Sequence, residues 1–575
     1  MKKAICIILS VVFVLTMITA CGSSSNETTT KATSGSSEQS GGSAGSEASG
    51  ISGTSVVIAI PEDPDTLSPF ISGQQGRDYV CQVFYQPVFD WDSSEGVLTP
   101  VIAESYEHTD SSHTVIKVRD NVHDSAGNAI TASDVAFCIK SAADSGNYQE
   151  LSIVKDAEAT GDYEVTVTWG IDIKESLEGF QGAMNRVNVV NQEAYEASSD
   201  GFSTKPVATG PYVCTDVVSG STYTFEADPN YWGKDIADLG PRSKTNVEKI
   251  TFSVITEESQ RSVGLETDVV DFSSIPSGDA YLFEEGGADA ADFILDARTS
   301  VATTTLKFNC AEHINTLLFS SIGDSIESED YTAVCSNANM RKAIAYAIDV
   351  DEIIQGTYGG RAIAVNSYGG SPLCSDYDPA WDSEDYYDVD IAKGKEYLAK
   401  ALDELDMTAD QVNIVLHCNT RDTTKTTATI IANDIEKLGI KCTIQTSDVR
   451  AETVDPTIWE LELKDSICTS GYIPLTWTDA YGDISWENDE VQGKYNWCFV
   501  SDDKLEEYNV KGEQASYYSQ DFIEEARQYV IYDQCYQLML TNATEYYAAD
   551  NSKFTKVVFG SNGVIIPQSS TYTWN

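Results

Sequence analysis

Residues 98–140 read LTPVIAESYEHTDSSHTVIKVRDNVHDSAGNAITASDVAFCIK. Near the end of this stretch Thr131-Ala132-Ser133-Asp134 runs into the apolar Val135-Ala136-Phe137. A threonine followed three residues later by an acid, just ahead of an apolar run, is a helix start, because hydroxyl and carboxylate satisfy N–H groups that a first turn leaves without partners. Asp134 stands where Glu or Gln is usual. Outward from this point, Val56-Val57-Ile58-Ala59-Ile60 is a short apolar run stopped by Pro61, the pattern of a buried strand. Tyr163 to Trp169 alternates instead, which suits a strand with one wet face. Met340, Ala343, Ile344, Ala347 and Ile348 share one helical face, with Arg341 and Lys342 expected to point elsewhere. Ile430, Ile431, Ile435 and Leu438 repeat the pattern, and Gly439 supplies a left-handed cap before an extended run at 440–444. Strands interleaved with helices make this an α/β protein. It has no fixed-period repeat.

The chain has 575 residues, with 36 Lys+Arg against 90 Asp+Glu, a formal charge of -54. A phosphate backbone is held by clustered cations, so nucleic-acid binding is excluded. At 41% hydrophobic the chain can bury substantial cores, and its length allows about two to four domains.

Lys2 and Lys3 precede an apolar run from Ala4 to Ala20, the plan of a secretory signal. Its exit, Ile18-Thr19-Ala20-Cys21-Gly22, resembles the bacterial lipoprotein box. The resemblance implies a signal peptide over 1–20, cleavage before Cys21 and lipidation of that thiol, which holds the protein stably on the membrane. Residues 22–54 are nearly all Ser, Gly, Thr, Ala and Glu, too polar to offset their conformational entropy by burial. They read as a flexible tether with a reach of roughly 30 Å. Loss of residues 1–20 leaves 34 basic against 90 acidic residues, or -56.

Eleven cysteines lie beyond Cys21, an odd number at irregular spacing with no C-x-x-C, so most are expected to be buried small hydrophobes. The five histidines show no ligand spacing, and no G-x-S-x-G or phosphate loop occurs. Ser152-Ile153-Val154-Lys155 matches the S-x-x-K of penicillin-recognising enzymes without a following K-T-G. Residues 376–382 (DYDPAWD) lack the glycine and late glutamate of a calcium loop and read as an exposed acidic loop.

The order of segments is similar to that of the family 5 extracellular solute-binding proteins, the dipeptide and oligopeptide receptors of ABC importers. Residues 56–70 (VVIAIPEDPDTLSPF) resemble the family's opening strand and D-P-x-x-L-x-P turn, and residues 83–88 its next helix. Residues 98–140 carry its P-x-[LI]-A-E-S-[WY], strand, hairpin and T-A-x-D-V in succession, with a looser turn at Asp124-Ser125-Ala126-Gly127. Thr209-Gly210-Pro211-Tyr212, the PNYWG at 229–233, the LKFN at 306–309 and the MRKAIAYAID at 340–349 follow in the family's order.

The resemblance implies a two-lobed, periplasmic-binding-protein-like fold of type II with a hinge. Lobe I is expected over 55–299 plus 541–575, with a subdomain at about 86–204, and lobe II over 300–540. Crossings near 305–309 and 540–544 would form the hinge, and closure would bury a peptide or similar small solute. No catalytic residue, metal or cofactor is implied. The implied partners are a peptide or small-molecule ligand, ABC permease subunits and the membrane through the lipid on Cys21, with the protein a monomer on the outer face of the cell membrane.

The acid that usually holds a peptide's amino end follows a G-W-x-x-D-like segment. Here Gly471-Tyr472 fits its start, but Pro474 and Leu475 occupy the places around the acid, leaving Asp479 as the candidate. Tyr472, Trp477, Tyr481 and Trp497 are aromatic candidates for the ligand wall. Arg421 and Lys425, in a loop leading to a helix at Thr427, are candidates for a ligand carboxylate. Two alternatives stand beside peptide capture: a non-peptide solute such as an oligosaccharide or metal chelate, and an exported hydrolase using Ser152 and Lys155.

Overall fold

The computed structural model describes residues 54–573 except 72–74, 93–95, 313, 316–329, 366–373, 375, 385, 448–455, 468–484, 488–489, 493–497, 501 and 561–562. The leader and Cys21 lie outside the described residues. Among the described residues, no helix is long and apolar enough to cross a membrane.

The apolar run at the start of the body forms β1 (Ser55–Ile60), with Val56, Ile58 and Ile60 fully buried. Helix α1 (Gln75–Phe84) then ends where the sequence suggested that a helix was beginning. The reason is Pro87, which lacks an N–H and biases the residue before it toward extended backbone. Strands β2 (Ala103–His108) and β3 (His113–Val118) pair antiparallel. The following turn is wider than an aspartate-glycine hairpin, as expected, and it closes around a buried carboxylate. Asp124 Oδ1 accepts from the Ala126 and Asn128 N–H groups, both at 2.9 Å, and Gly127 takes the left-handed φ of +87° that the turn requires.

Helix α2 (Ala132–Asp144) starts at the anticipated capping box. Thr131 N and Oγ1 donate to Asp134 Oδ2 at 2.8 and 2.7 Å. Strands β4 (Val154–Gly161) and β5 (Glu164–Trp169) complete a four-stranded sheet in the order β2-β3-β5-β4. Helices α3 (Gly179–Arg186) and α4 (Gln192–Ala197) follow. The second oxygen of Asp134 accepts from Gln192 N at 2.8 Å and Asn191 Nδ2 at 3.2 Å. One buried carboxylate therefore starts two helices.

Strands β6 (Tyr212–Val218), β7 (Thr222–Ala227), β8 (Lys249–Val254) and β9 (Phe272–Ile275) lead into the 16-residue β10 (Phe293–Phe308). Beyond it come α5 (Ala338–Ala345), α6 (Val350–Tyr358), β11 (Ala362–Ala364), β12 (Asn413–Cys418), α7 (Asp422–Glu436), β13 (Lys441–Thr446), β14 (Leu461–Ile467), α8 (Asp503–Gly512) and the 14-residue β15 (Gln537–Asp550). Eleven strands make one sheet in the order β13-β12-β14-β10-β15-β9-β1-β8-β7-β6, with β11 alongside β15. Two large apolar cores flank β10 and β15. One gathers residues between Val56 and Phe272 with others from Tyr547 to Tyr572, and the second gathers residues between Leu306 and Leu540.

Within the second core, α5 buries Met340, Ala343 and Ile344 as its periodicity predicts, but Arg341 is buried too, at 2% exposure. Its guanidinium donates to the carbonyls of Cys335, Ser336, Gln534 and Cys535 and lies over the Tyr536 ring. Helical periodicity says only which side of the helix Arg341 occupies; the segments 335–336 and 534–535 packed there supply four acceptors that replace water. Gly439 has φ +96°, as its place before β13 suggested. The acidic loop is only partly exposed. Asp376 is buried and accepts from Tyr518 Oη at 3.0 Å, and Trp381 is buried with its N–H on Glu524 at 3.1 Å.

All ten described body cysteines are free, and nine are buried. Burial lifts the thiols of Cys81 and Cys310 to about 11. One polar rung crosses the apolar sheet: His417 pairs with Glu462, Glu462 with Lys307, and Lys307 with Gln537, all four buried.

Replacing Asp134 with Ala orphans donors at two helix starts. Asp134→Ala should lower stability by about 2–3 kcal/mol, read as a shift in the urea midpoint at unchanged slope.

Candidate functional site

The two long strands hold their ladder register over Phe293–Thr299 against Thr544–Asp550, then lose it. Thr299 faces Thr544 and Thr303 faces Asn542, so three residues of β10 oppose one of β15. Such a bulge bends a strand pair and leaves backbone groups to be satisfied otherwise. Asn542 Nδ2 donates to Ser300 O at 2.8 Å, Thr303 Oγ1 donates to Asn542 Oδ1 at 3.0 Å, and Ser300 Oγ donates to Glu545 Oε1 at 2.6 Å. Between the two cores, polar side chains take the place of a regular ladder here.

On the second-core side of the bulge, Thr304 Oγ1 donates to Asp465 Oδ1 at 3.1 Å and lies 3.1 Å from the Tyr358 hydroxyl. Arg421 Nη1 is 4.0 Å from Asp465 Oδ2, with 72% of its side chain exposed. The helix begins at Asp422, not near Thr427, so Arg421 is its N-cap residue and Lys425 lies in its first turn. Lys425 pairs with Asp422 at 2.7 Å, which draws the Asp422 carboxyl below its ordinary value. Of the two candidate cations, the structure sets Arg421 beside the bulge and ties Lys425 to its own helix.

On the first-core side, α1 carries Arg77, Asp78 and Tyr79. Tyr79 is buried, which lifts its hydroxyl to about 12, and the negative charge of Glu545 adds to that shift. Asp78 remains open to solvent, yet desolvation raises its carboxyl, opposed by Arg186, Arg77 and Arg242. Arg186 joins Glu150 at 2.9 Å, with 38% of its side chain exposed. Asp78 and the Arg186–Glu150 pair both reach water.

Tyr472, Trp477, Asp479, Tyr481 and Trp497 lie outside the described residues, as does Cys21. Ser152 occupies a turn and Lys155 the extended strand β4, both exposed. The four residues pass from a turn into a strand, so this S-x-x-K is not on the helical turn that would bring amine to hydroxyl. Among the described residues, no group of His, Cys, Asp or Glu is arranged to hold a metal ion. Asp78, Arg186, Glu150, Thr304 and Asp465 had no motif to mark them. The one available hint was two charges, at 77 and 78, inside an otherwise buried helix.

The sequence profile of bacterial extracellular solute-binding proteins, family 5, matches residues 97–491. The chain belongs to this family. It therefore has the two-lobed α/β fold of periplasmic-binding-protein-like receptors, and its class is that of the bacterial extracellular solute-binding proteins. The chain is 28% identical to protein XP55 of Streptomyces lividans over 239 residues, 40% of this chain and 41% of that protein. It is 23% identical to the glutathione-binding protein GsiB of Escherichia coli O6:K15:H31 over 357 residues, 60% of this chain and 61% of GsiB. The chain thus spans less than two thirds of either relative.

Solved structures show the same fold over more of the chain. The ABC transporter substrate-binding protein CtaP of Listeria monocytogenes superposes with TM-score 0.68 at 17% identity, covering 91% of this chain and 99% of CtaP. NikA of Staphylococcus aureus, in complex with Ni(L-His)2, gives 0.67 at 16%, covering 90% and 100%.

In this solute-binding protein, the sheet wall that carries Asp465 is continued by a buried acid. Glu460 accepts from Cys335 N at 3.0 Å, Tyr331 Oη at 3.1 Å and Val334 N at 3.3 Å. Burial nonetheless raises its carboxyl above the ordinary 4.5. The folded state then holds this proton to higher pH than the unfolded chain does. Its stabilising contribution is complete below about pH 4.5 and fades as pH rises through the folded value. Urea midpoints of Glu460→Gln should accordingly fall less between pH 4 and 8 than those of the wild type.

Proposed function

We propose that this solute-binding protein is held on the outer face of the cell membrane by lipid on Cys21, and that it captures a short peptide or similar zwitterionic solute for an ABC permease. Lobe I would comprise residues 55–299 and 541–575, and lobe II residues 300–540, turning about the bulge between Thr299 and Thr303. The observation that carries this reading is the pair of charges Asp78 and Arg186 on the first-core side of the bulge. There Asp78 is open to solvent with no hydrogen bond or ion pair among the described residues, and Arg186 stands nearby. A carboxylate suits a ligand ammonium and a guanidinium suits a ligand carboxylate, each charged hydrogen bond adding about 1.5–3 kcal/mol.

Arg421 could contribute a second cation from the opposite side of the bulge once it leaves Asp465. The similarity to GsiB, a glutathione-binding protein, supports peptide-like chemistry. The nickel-histidine complex of NikA keeps a metal chelate in view, since such a chelate also carries carboxylates. Hydrolysis through Ser152 finds no support in the turn-and-strand backbone that carries Ser152 and Lys155.

Isothermal titration of residues 21–575 with glutathione, tri- to pentapeptides, oligosaccharides and Ni(L-His)2 tests the proposal. One peptide class should bind at one site per chain, and Asp78→Asn should weaken it by about tenfold or more. Heat from the chelate alone would move the ligand class from peptide to metal complex. Flat traces with every probe would refute solute capture.

A further inference from the structure

The two cores touch at a second place, away from β10 and β15. Leu177 N donates to Glu513 O at 3.0 Å, and Ala515 N donates to Glu175 O at 2.6 Å. Ser176 and Gln514 lie between these bonds as an isolated antiparallel bridge. Residues 175–177 immediately precede α3, whose Phe180, Ala183 and Met184 belong to the first core. Residues 513–515 immediately follow α8, whose Leu505 and Tyr508 belong to the second.

Both partners are shaped before they meet. On the first side, Asp172 O accepts from Glu175 N and Ser176 N, both at 3.1 Å, and Ser176 Oγ accepts from Gly179 N at 2.9 Å. On the second, Glu513 caps α8, and Gln514 N donates to Lys511 O at 3.1 Å. A helix leaves its last carbonyls without partners, and here Leu177 from the other core takes one of them.

We infer that residues 175–177 and 513–515 form a main-chain latch that holds the two lobes together opposite the hinge, and that it sets how much of the empty receptor is closed. The inference rests on the two-lobed closure proposed above. A chain with 90 acidic residues brings like charges together as it closes, and Glu175 and Glu513 sit in the latch itself. Main-chain bonds neither titrate nor need an opposite charge, so they suit this position better than an ion pair would. The latch lies at an exposed rim, with Glu513 and Ala515 open to solvent, so it can break when solute enters or leaves.

The test uses residues 21–575 with no ligand added. Ser176 and Gln514 form a non-hydrogen-bonded antiparallel pair, whose Cα atoms lie about 4.5 Å apart, within disulfide reach. In the double variant Ser176→Cys, Gln514→Cys, mild oxidation should join the two residues in most molecules and leave the radius of gyration at the wild-type value. Ala515→Pro deletes one donor. It should lower the closed-to-open ratio by about tenfold, read as a larger radius of gyration and faster exchange of the Leu177 amide.

Failure of the pair to cross-link, or wild-type radius and Leu177 exchange in Ala515→Pro, would overturn the latch. Should Ala515→Pro lose its near-ultraviolet circular dichroism, the cross-link decides alone. Cross-linking with flat titrations would sink the solute-capture reading and keep the latch, and binding without cross-linking would do the reverse.

Discussion

Two strands belong to both halves of this molecule, and the ladder between Phe293–Phe308 and Gln537–Asp550 is the constraint on which the fold depends. A central strand must pair its N–H and C=O groups along its length. A sheet running from one core to the other can therefore bend only where other groups take over that pairing. Between Thr299 and Thr303 those groups are Ser300, Thr303, Asn542 and Glu545. Arg361 reinforces the same region, accepting from Thr544 N at 2.9 Å and donating to Ser277 O and Glu284 across from its own core. The bend is a polar joint inserted in an otherwise apolar sheet.

Buried polar groups recur wherever separate segments of chain must meet in one arrangement. Asp134 starts two helices, Arg341 collects four carbonyls, and Glu460 gathers two backbone N–H groups and a tyrosine hydroxyl. Desolvating such groups is costly, and hydrogen bonding returns the cost only when the geometry is complete. The rung His417-Glu462-Lys307-Gln537 crosses the sheet of the second core two residues along from the Asn309–Glu460 hydrogen bond. Apolar neighbours alone would tolerate a register slip of these strands more readily than this row does.

The proposed function follows from the same joint. On that reading, Asp78 and Arg186 on one side and Arg421 on the other flank the place where the two lobes would turn against each other. A solute that touches both sides stabilises one arrangement over the other, and differential contact is all that a receptor of this class needs to signal occupancy. The formal charge of -54 keeps the surface hydrated without choosing a ligand. In the proposed function that choice rests with the few charges beside the bulge.

Local signals were legible in the sequence. The capping box at Thr131 and Asp134, the buried strand at 56–60, the wet-faced strand before Trp169 and the left-handed Gly439 each depend on neighbours within a few residues, and backbone chemistry decides them locally. The ordered motifs from residue 56 to 349 carried the family and with it the two-lobed fold. The burial of Arg341, the shelter of Asp376 and Trp381, the early end of α1, the free ends of Ser152 and Lys155, and the pairing of Arg421 with Asp465 were not legible. Each is settled by residues tens to hundreds of positions away, brought near by the sheet order. Periodicity reports which side of an element a residue occupies; only packing decides whether water, a carbonyl or a charge is waiting there.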